Sequence, residues 1–165
     1  MNKKSIIIGV MGGAAVPSRV IFAARRLGYL IAERGWILLN GGRNSGVMEA
    51  SAQGAREMGG LTIGILPGMD RKNASEFIDI PIVTGMGQAR NSINVLSSDF
   101  VVACRGGAGT LSEIALAIKS EKPVILLDFP IETSLGAFAS SGLLHYADTP
   151  EAAVDIISRL ISGNQ

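Results

Sequence analysis

The residues with the clearest chemical potential lie in the glycine-rich stretch 106–109 and directly after it. An apolar run, 100–104, precedes this stretch, and Thr110 and then Glu113 follow at the start of a helical apolar pattern. A strand, a glycine turn and a helix in that order place free backbone N–H groups at a helix N-terminus, which favours an anion such as phosphate. We expect Thr110 to be the N-cap of this helix, with Glu113 as its capping-box partner or as a functional carboxylate. The sequence thus predicts a phosphate-bearing small-molecule ligand at this turn.

Two more glycine-rich turns follow predicted strands. Gly12 and Gly13 come after the apolar run 5–10, and the stretch 40–46 comes after the apolar run 36–39. The carboxyl ends of parallel strands meet at one edge of a sheet, and ligands of such sheets bind at that edge where the strand order reverses. We therefore expect all three turns to form one ligand site.

Predicted strands and helices alternate along the chain, which is typical of an α/β protein. We expect a Rossmann-like, doubly wound, mostly parallel sheet with helices on both faces, in a single domain over 1–165. The predicted strands are 5–10, 36–39, 61–66, part of 77–83, 100–104, 124–127 and 143–146. The first predicted helix follows Ser18 and ends at Gly35, and further helices are predicted over 47–58, 88–97, 110–122 and 151–161, with 129–141 irregular.

Composition excludes several classes of protein. The formal net charge is +1 and aromatic residues make up 5% of the chain, so no nucleic-acid surface is expected. No apolar stretch approaches the ~20 residues of a membrane span. Cys104 is the one cysteine and His145 the one histidine, which excludes an internal disulfide and disfavours a metal site. We expect Cys104 to be a buried core residue and the protein to be cytoplasmic.

Two familiar nucleotide sites are absent. A dinucleotide fingerprint needs GxGxxG after the first strand and an acidic residue after the second, whereas this chain has GGAAVP and Asn40. The P-loop pattern GxxxxGK[ST] does not occur either.

Three blocks together carry a resemblance to a known family: GGRNSGVMEA at 41–50, GQARN at 87–91 and RGGAGTLSE at 105–113. They resemble the Rossmann-like superfamily once described as lysine decarboxylases, which includes the LOG (lonely guy) phosphoribohydrolases. Those enzymes release a base from a nucleoside 5′-monophosphate. Within the superfamily the chain is more similar to the molybdenum cofactor carrier branch, whose members bind the pterin cofactor as tetramers of single domains.

The comparison with the hydrolase motifs leaves two functions open. Arg105 replaces a proline of the hydrolases, and Asn91 replaces a lysine, whereas Arg90 and Glu113 match the hydrolase residues that act at the ribose. The resemblance favours a carrier that binds, protects and transfers the molybdenum cofactor without chemistry. The alternative is a phosphoribohydrolase that uses Arg90 and Glu113. A nucleotide-sensing module with neither activity is a third, weaker reading.

The expected site follows from the turns and the resemblance. Arg43 and Arg105 are expected to bind phosphate or an oxoanion, Asn44 and Ser45 to donate hydrogen bonds, and Asn40 to contact a pterin edge. The full set of expected cofactor-binding residues is Gly12, Gly13, Asn40, Gly41, Gly42, Arg43, Asn44, Ser45, Gly46, Arg90, Arg105, Gly106, Gly107, Ala108, Gly109, Thr110 and Glu113.

The expected partners follow from the same reading. We expect a small-molecule ligand with a phosphate, and a molybdoenzyme or a cofactor-synthesis protein as the macromolecular partner. The helices at 111–118 and 152–161 are apolar or small at most positions. We therefore expect a homo-oligomer, either a dimer or a tetramer.

Overall fold

The structure is a computed structural model that describes residues 5–131 and 139–163. The strands are β1 (Ile7–Met11), β2 (Ile37–Asn40), β3 (Thr62–Leu66), β4 (Ile80–Val83), β5 (Phe100–Ala103), β6 (Val124–Leu127) and β7 (Leu144–Ala147). The α-helices are α1 (Ser18–Glu33), α2 (Gly46–Glu57), α3 (Asn91–Leu96), α4 (Ala108–Lys119) and α5 (Pro150–Gly163), and a 3₁₀ helix (Gly87–Arg90) precedes α3.

The strands form one seven-stranded parallel sheet in the order β4-β3-β2-β1-β5-β6-β7. The chain first builds outward from β1 to β4 and then returns to β5 on the other side of β1. The strand order therefore reverses between β1 and β5. The predicted fold class is confirmed, and the reversal places the first and third glycine turns side by side.

Helices cover both faces of the sheet, which is why the strands are apolar on both faces. Ile8 and Val10 of β1 pack with α1, α2 and α5 in one core cluster. Val101 and Ala103 of β5 pack with α3 and α4 in a second cluster. Cys104 is buried in the first cluster, and burial raises the pKa of its thiol to about 12, so it is the core residue that the sequence predicted.

Several element boundaries differ from the sequence expectations. The predicted helix 88–97 begins as a 3₁₀ turn and becomes α-helical only at Asn91. The helix α4 ends at Lys119, two to three residues early, and Glu121 then takes a left-handed φ of 56°. In the predicted stretch 77–83 the strand is β4, and it tolerates Pro81 because it lies at the edge of the sheet. Part of the irregular stretch 129–141 lies outside the described residues.

The expected N-cap of α4 was wrong. Gly107 is the N-cap, with an extended backbone (φ −99°, ψ −152°), and Thr110 is the third residue of the helix. The helix begins earlier because Ala108 and Gly109 fit a first helical turn, where no N–H needs an intrahelical partner. Thr110 and Glu113 therefore do not form a capping box.

No helix among residues 5–131 and 139–163 has the length and hydropathy needed to cross a membrane.

Candidate functional site

A cavity of about 210 Å³ lies at the carboxyl ends of β1 and β5, at the reversal of strand order. Residues of all three predicted glycine turns line it, which confirms that the turns converge. The lining residues are Val10, Met11, Gly12, Gly13, Ala14, Gly41, Arg43, Met48, Gln88, Arg90, Asn91, Gly107, Gly109, Thr110 and Glu113.

The three turns are joined by backbone hydrogen bonds. Gly13 N donates to Arg105 O at 3.0 Å, and Val47 N donates to Gly13 O at 3.0 Å. A Cβ at Gly106 would overlap the Thr110 side chain and lie 2.9 Å from Gly13 N, so only glycine allows this approach. The first turn therefore accepts a hydrogen bond from a backbone N–H at the N-terminus of α2, and it packs closely against the third turn.

The N-terminus of α4, in contrast, opens on the cavity. The amides of residues 108–110 precede Leu111 N, which donates to Gly107 O at 3.1 Å. A Cβ at Gly107 or Gly109 would meet nothing within 4 Å. The first-turn amides and the positive end of the helix dipole are therefore placed to bind an anion. The third turn therefore has the open helix N-terminus that a phosphate site requires.

Arg90 is a buried cation in the cavity wall. Its side chain crosses Gly41, where a Cβ would overlap the guanidinium, and its Nη1 donates to Ile65 O at 2.9 Å. Its Nε is buried and has no hydrogen-bond partner among the described residues. Burial lowers the pKa of Arg90, while the charge of Glu113 raises it and that of Arg43 lowers it. Arg90 is therefore a desolvated guanidinium in the cavity wall that a hydrogen bond ties to β3.

Glu113 lies in α4 and is only 7% exposed. Its Oε1 accepts a hydrogen bond of 2.8 Å from Asn94 Nδ2. Burial raises the pKa of Glu113, and the Asn94 hydrogen bond and the Arg90 charge oppose that rise. The cavity therefore contains a desolvated carboxylate beside a desolvated guanidinium.

The second glycine turn contributes Gly41 and Arg43 to the cavity. Arg43 is exposed and forms an isolated antiparallel bridge with Ala74. The loop after β3 supports this turn further, since Ser75 N donates to Gly42 O at 2.9 Å and Asn44 N donates to Asn73 O at 3.0 Å. Arg43 is thus a cation at the cavity, and hydrogen bonds at the residues before and after it hold its backbone in place.

Asn40 stabilises the second turn instead of facing the cavity. It is fully buried, its Nδ2 donates to Met48 O and Ser51 Oγ, and its Oδ1 accepts from Gly42 N at 2.8 Å. Its amide groups are therefore already used within the protein, and the expected contact with a pterin edge is not supported.

Arg105 also differs from its expected orientation. Its Nε donates to Asp128 O at 2.8 Å and lies 3.6 Å from Asp128 Oδ2, at the end of β6. Arg19 approaches the same carboxylate at 3.5 Å. Arg105 is consequently held outside the cavity lining by the backbone carbonyl and the carboxylate of Asp128.

The expected site residues divide into two groups. Those that line the cavity are Gly12, Gly13, Gly41, Arg43, Arg90, Gly107, Gly109, Thr110 and Glu113. Those that lie outside the lining and belong to the turns themselves are Asn40, Gly42, Asn44, Ser45, Gly46, Arg105, Gly106 and Ala108. Ser45 is the N-cap of α2, and its buried Oγ has no hydrogen-bond partner within residues 5–131 and 139–163.

Three polar residues of the site, Gln88, Asn91 and Asn94, were not among the expected cofactor-binding residues. Gln88 and Asn91 line the cavity, and Asn91 Nδ2 donates to Ser112 Oγ at 3.1 Å. Asn94 is fully buried behind Glu113. The available signal was helical spacing, because Asn94 lies four residues after Arg90 and on the same face.

Comparison with known proteins identifies the family of the chain. A family model, the SLOG cluster4 family, matches residues 5–154. A molybdenum cofactor binding protein from the phototrophic bacterium Rippkaea orientalis is 52% identical, with a TM-score of 0.89 over 96% of this chain and 98% of that chain. The molybdenum cofactor carrier protein of Chlamydomonas reinhardtii is 45% identical, with a TM-score of 0.88 over 96% of this chain and 99% of that one.

A more distant similarity runs to enzymes. A cytokinin riboside 5′-monophosphate phosphoribohydrolase of Mycobacterium tuberculosis is 36% identical over 113 residues, which cover 64% of this chain and 60% of the enzyme. The similarity to the carrier proteins is both higher and more complete. With nearly the whole chain matched by the family model, this protein belongs to the SLOG cluster4 family.

Proposed function

We propose that this protein binds the molybdenum cofactor in the cavity between the glycine turns and carries it to a recipient. The observation that carries the proposal is the open N-terminus of α4 beside Arg43 and Arg90, in a chain that is 52% identical to a molybdenum cofactor binding protein over nearly its full length. The site fits this ligand because the cofactor carries a phosphate and the cavity presents donors and cations for an anion.

The terminal phosphate of the cofactor would bind at the first turn of α4. The amides of residues 108–110 supply donors there, and the exposed Arg43 supplies a fork-shaped cation suited to phosphate. A cavity of about 210 Å³ is smaller than the 300–1,000 Å³ typical of sites that enclose a drug-sized ligand. The phosphate end would therefore be enclosed and the remainder of the cofactor would extend to the mouth, which suits a carrier that must release its ligand.

The departure of Asn91 from the hydrolase motif supports binding without chemistry. Asn91 Nδ2 donates to Ser112 Oγ, and that hydroxyl donates to Gly109 O at 2.7 Å. A neutral amide that links α3 to α4 thus occupies the position of the hydrolase lysine. Asn91 therefore contributes to the cavity wall without adding a charge.

A phosphoribohydrolase activity is the second candidate, and one observation favours it. Arg90 and Glu113 both line the cavity and are only 8% and 7% exposed. They match the two residues that act at the ribose in the hydrolases that the sequence resembles. The 36% identical mycobacterial enzyme adds support for this second reading.

A paired experiment on the purified protein separates the two functions. One arm measures retention of purified molybdenum cofactor through gel filtration, and the other measures adenine released from AMP. Retention without base release is the expected result, and Arg43→Ala should lower retention. Base release that disappears in Glu113→Ala, without cofactor retention, would overturn the carrier proposal in favour of the hydrolase.

We also propose that the chain forms a homo-oligomer, on different grounds from those in the sequence. The chain's own core buries part of the apolar surface of both helices, namely Ala153, Val154 and Ile157 of α5 and Ile114, Ala117 and Ile118 of α4, so these residues need no second subunit. Leu96 and Leu111 remain 61% and 47% exposed, and Ile80 and Ile82 are exposed on the same side of the sheet. Light scattering should give a dimer or tetramer mass, and a monomer at micromolar concentration would refute this proposal.

A further inference from the structure

The hydrogen bond between Asn94 and Glu113 joins α3 to α4 behind the cavity. Asn94 is fully buried and does not line the cavity, whereas Glu113 does. Asn94 Nδ2 lies 2.8 Å from Glu113 Oε1, and among residues 5–131 and 139–163 Glu113 makes no other side-chain hydrogen bond. The protein therefore uses one acceptor site of Glu113 Oε1, and the second site of Oε1 and both sites of Oε2 are left for a ligand.

We infer that Asn94 is a positioning residue that holds Glu113 as an ionised carboxylate, ready to accept paired N–H or O–H donors of the ligand. Only the ligand half of this inference rests on the proposed function. The action of Asn94 on Glu113 depends on the hydrogen bond alone and can be measured without any ligand.

The balance of interactions at Glu113 explains why Asn94 matters. Burial opposes the ionised form and is the largest influence on this carboxyl, while the Asn94 donor and then the charge of Arg90 favour ionisation. Arg90 is the charged group that acts on Glu113 from the 3₁₀ helix, and Arg43 acts on Arg90 from the second turn. The polar contributions from α3 are neutral, namely Asn91 and Asn94. Loss of the Asn94 donor would thus let burial favour the neutral acid.

The ligand chemistry that fits is a pair of adjacent donors. An ionised carboxylate accepts from two N–H groups, as on the 2-amino-4-oxopyrimidine edge of a pterin, or from two hydroxyl groups, as on a ribose. A protonated carboxyl has fewer acceptor sites and adds an unwanted donor. Binding of either donor pair should therefore weaken at a pH where Glu113 is neutral.

Two substitutions at Asn94 test its hydrogen bond to Glu113 independently, so that the test survives if one variant fails to fold. Asn94→Leu keeps the branched shape of the side chain, and it removes both the donor and the buried Oδ1, which has no hydrogen-bond partner in the part of the chain that the structure describes. Asn94→Asp keeps the shape and loses the donor when ionised. Ser98→Ala is the matched control, because its Oγ donates to the Asn94 backbone carbonyl at 2.7 Å and does not contact the amide side chain.

The first readout is the titration of the Glu113 side-chain carboxyl carbon by NMR in the full chain without ligand, with Glu113→Gln used to assign the signal. We expect the midpoint in Asn94→Leu to rise by about one pH unit, the size of a lost hydrogen bond to a charged group. Asn94→Asp should shift it in the same direction, and Ser98→Ala should leave it unchanged. Equal midpoints in wild type and both Asn94 variants would overturn the inference.

The second readout compares ligands across pH, with purified molybdenum cofactor in one arm and AMP in the other. Asn94→Leu should bind about tenfold more weakly than wild type on the acid side of its midpoint and equally well far above it. The arm that shows this shift identifies the pterin or the ribose as the partner of Glu113. If wild type binds neither ligand, the proposed function fails, while the NMR titration still decides the role of Asn94.

Discussion

Arg105 Nε donates a hydrogen bond to Asp128 O at 2.8 Å, and this contact holds the guanidinium outside the cavity lining. The ion pair with Asp128 Oδ2 is longer, at 3.6 Å, and both side chains are more than a third exposed. The glycine-rich turn thus has a cation at its edge that the protein itself already engages. Arg43 and Arg90 remain as the arginines of the cavity.

Arg43 and Arg105 should therefore contribute unequally to anion binding. We expect Arg43→Ala to weaken binding of purified molybdenum cofactor by tenfold or more, since a hydrogen bond to a charged group contributes about 1.5–3 kcal/mol. Arg105→Ala should weaken it by less than about threefold, because exposed ion pairs contribute only about 0–1 kcal/mol. Isothermal titration calorimetry measures both, and a larger loss in Arg105→Ala would show that Arg105 leaves Asp128 when ligand binds.

Gly106 and Gly107 should respond differently to alanine. A Cβ at Gly106 would overlap Thr110 and crowd Gly13 N, whereas a Cβ at Gly107 would enter open space. We expect Gly106→Ala to lower the free energy of unfolding by about 1–3 kcal/mol, as overpacking does. Gly107→Ala should change it by less than about 0.5 kcal/mol. Urea unfolding measures both losses. Equal losses would contradict the close packing of the third glycine turn against the first at Gly106.

Glu113 should make stability depend on pH. Burial raises its pKa above the ordinary 4.5, so the folded state binds this proton more tightly than the unfolded state. Stability is then highest below the unfolded pKa and falls as pH rises through the raised folded pKa. Glu113→Gln, which resembles the neutral acid, should flatten this dependence.

Comparison of chemical unfolding from pH 4 to pH 8 tests the effect of Glu113. The stability of Glu113→Gln relative to wild type should increase with pH over that range. A decrease with pH would mean that the charge of Arg90 outweighs burial in the folded protein.

Asn40 and Asn44 offer a comparison within one turn. Asn40 is buried and makes three hydrogen bonds through its amide, to Met48 O, Ser51 Oγ and Gly42 N. We expect Asn40→Ala to cost about 2–3 kcal/mol of stability, near 1 kcal/mol for each bond. Asn44→Ala at the exposed side of the same turn should cost less than about 0.5 kcal/mol. Similar losses in thermal unfolding would contradict the role of Asn40 as the brace of this turn.

Helix and strand positions were largely predictable, because apolar periodicity and glycine turns act over short distances. The β1 run and the β6 run are continuous apolar segments, and both form strands with a neighbour on each side in the sheet. The start of α4 was mistaken because Thr110 is a good N-cap by type. The backbone instead turns helical at Ala108, where the flexible glycines on either side allow it.

Side-chain direction was less predictable, because it depends on groups that are distant in the chain. Arg105 was expected in the cavity because its neighbours form the glycine turn. Asp128 lies 23 residues further along and directs it elsewhere. Asn94 carried no motif that marked it, and its partner Glu113 is 19 residues away.

The sequence by itself determined the parallel α/β fold, the three glycine turns and their meeting at one edge of the sheet, because strand alternation and turn chemistry are local properties. Only the tertiary structure decided which turn opens to a ligand and which polar groups remain free to bind it. The physical reason is competition for hydrogen bonds. Gly13 O takes the Val47 donor at α2, Asp128 takes Arg105, and Asn94 takes one oxygen of Glu113, so that the first turn of α4 and the cations Arg43 and Arg90 are left to the cavity.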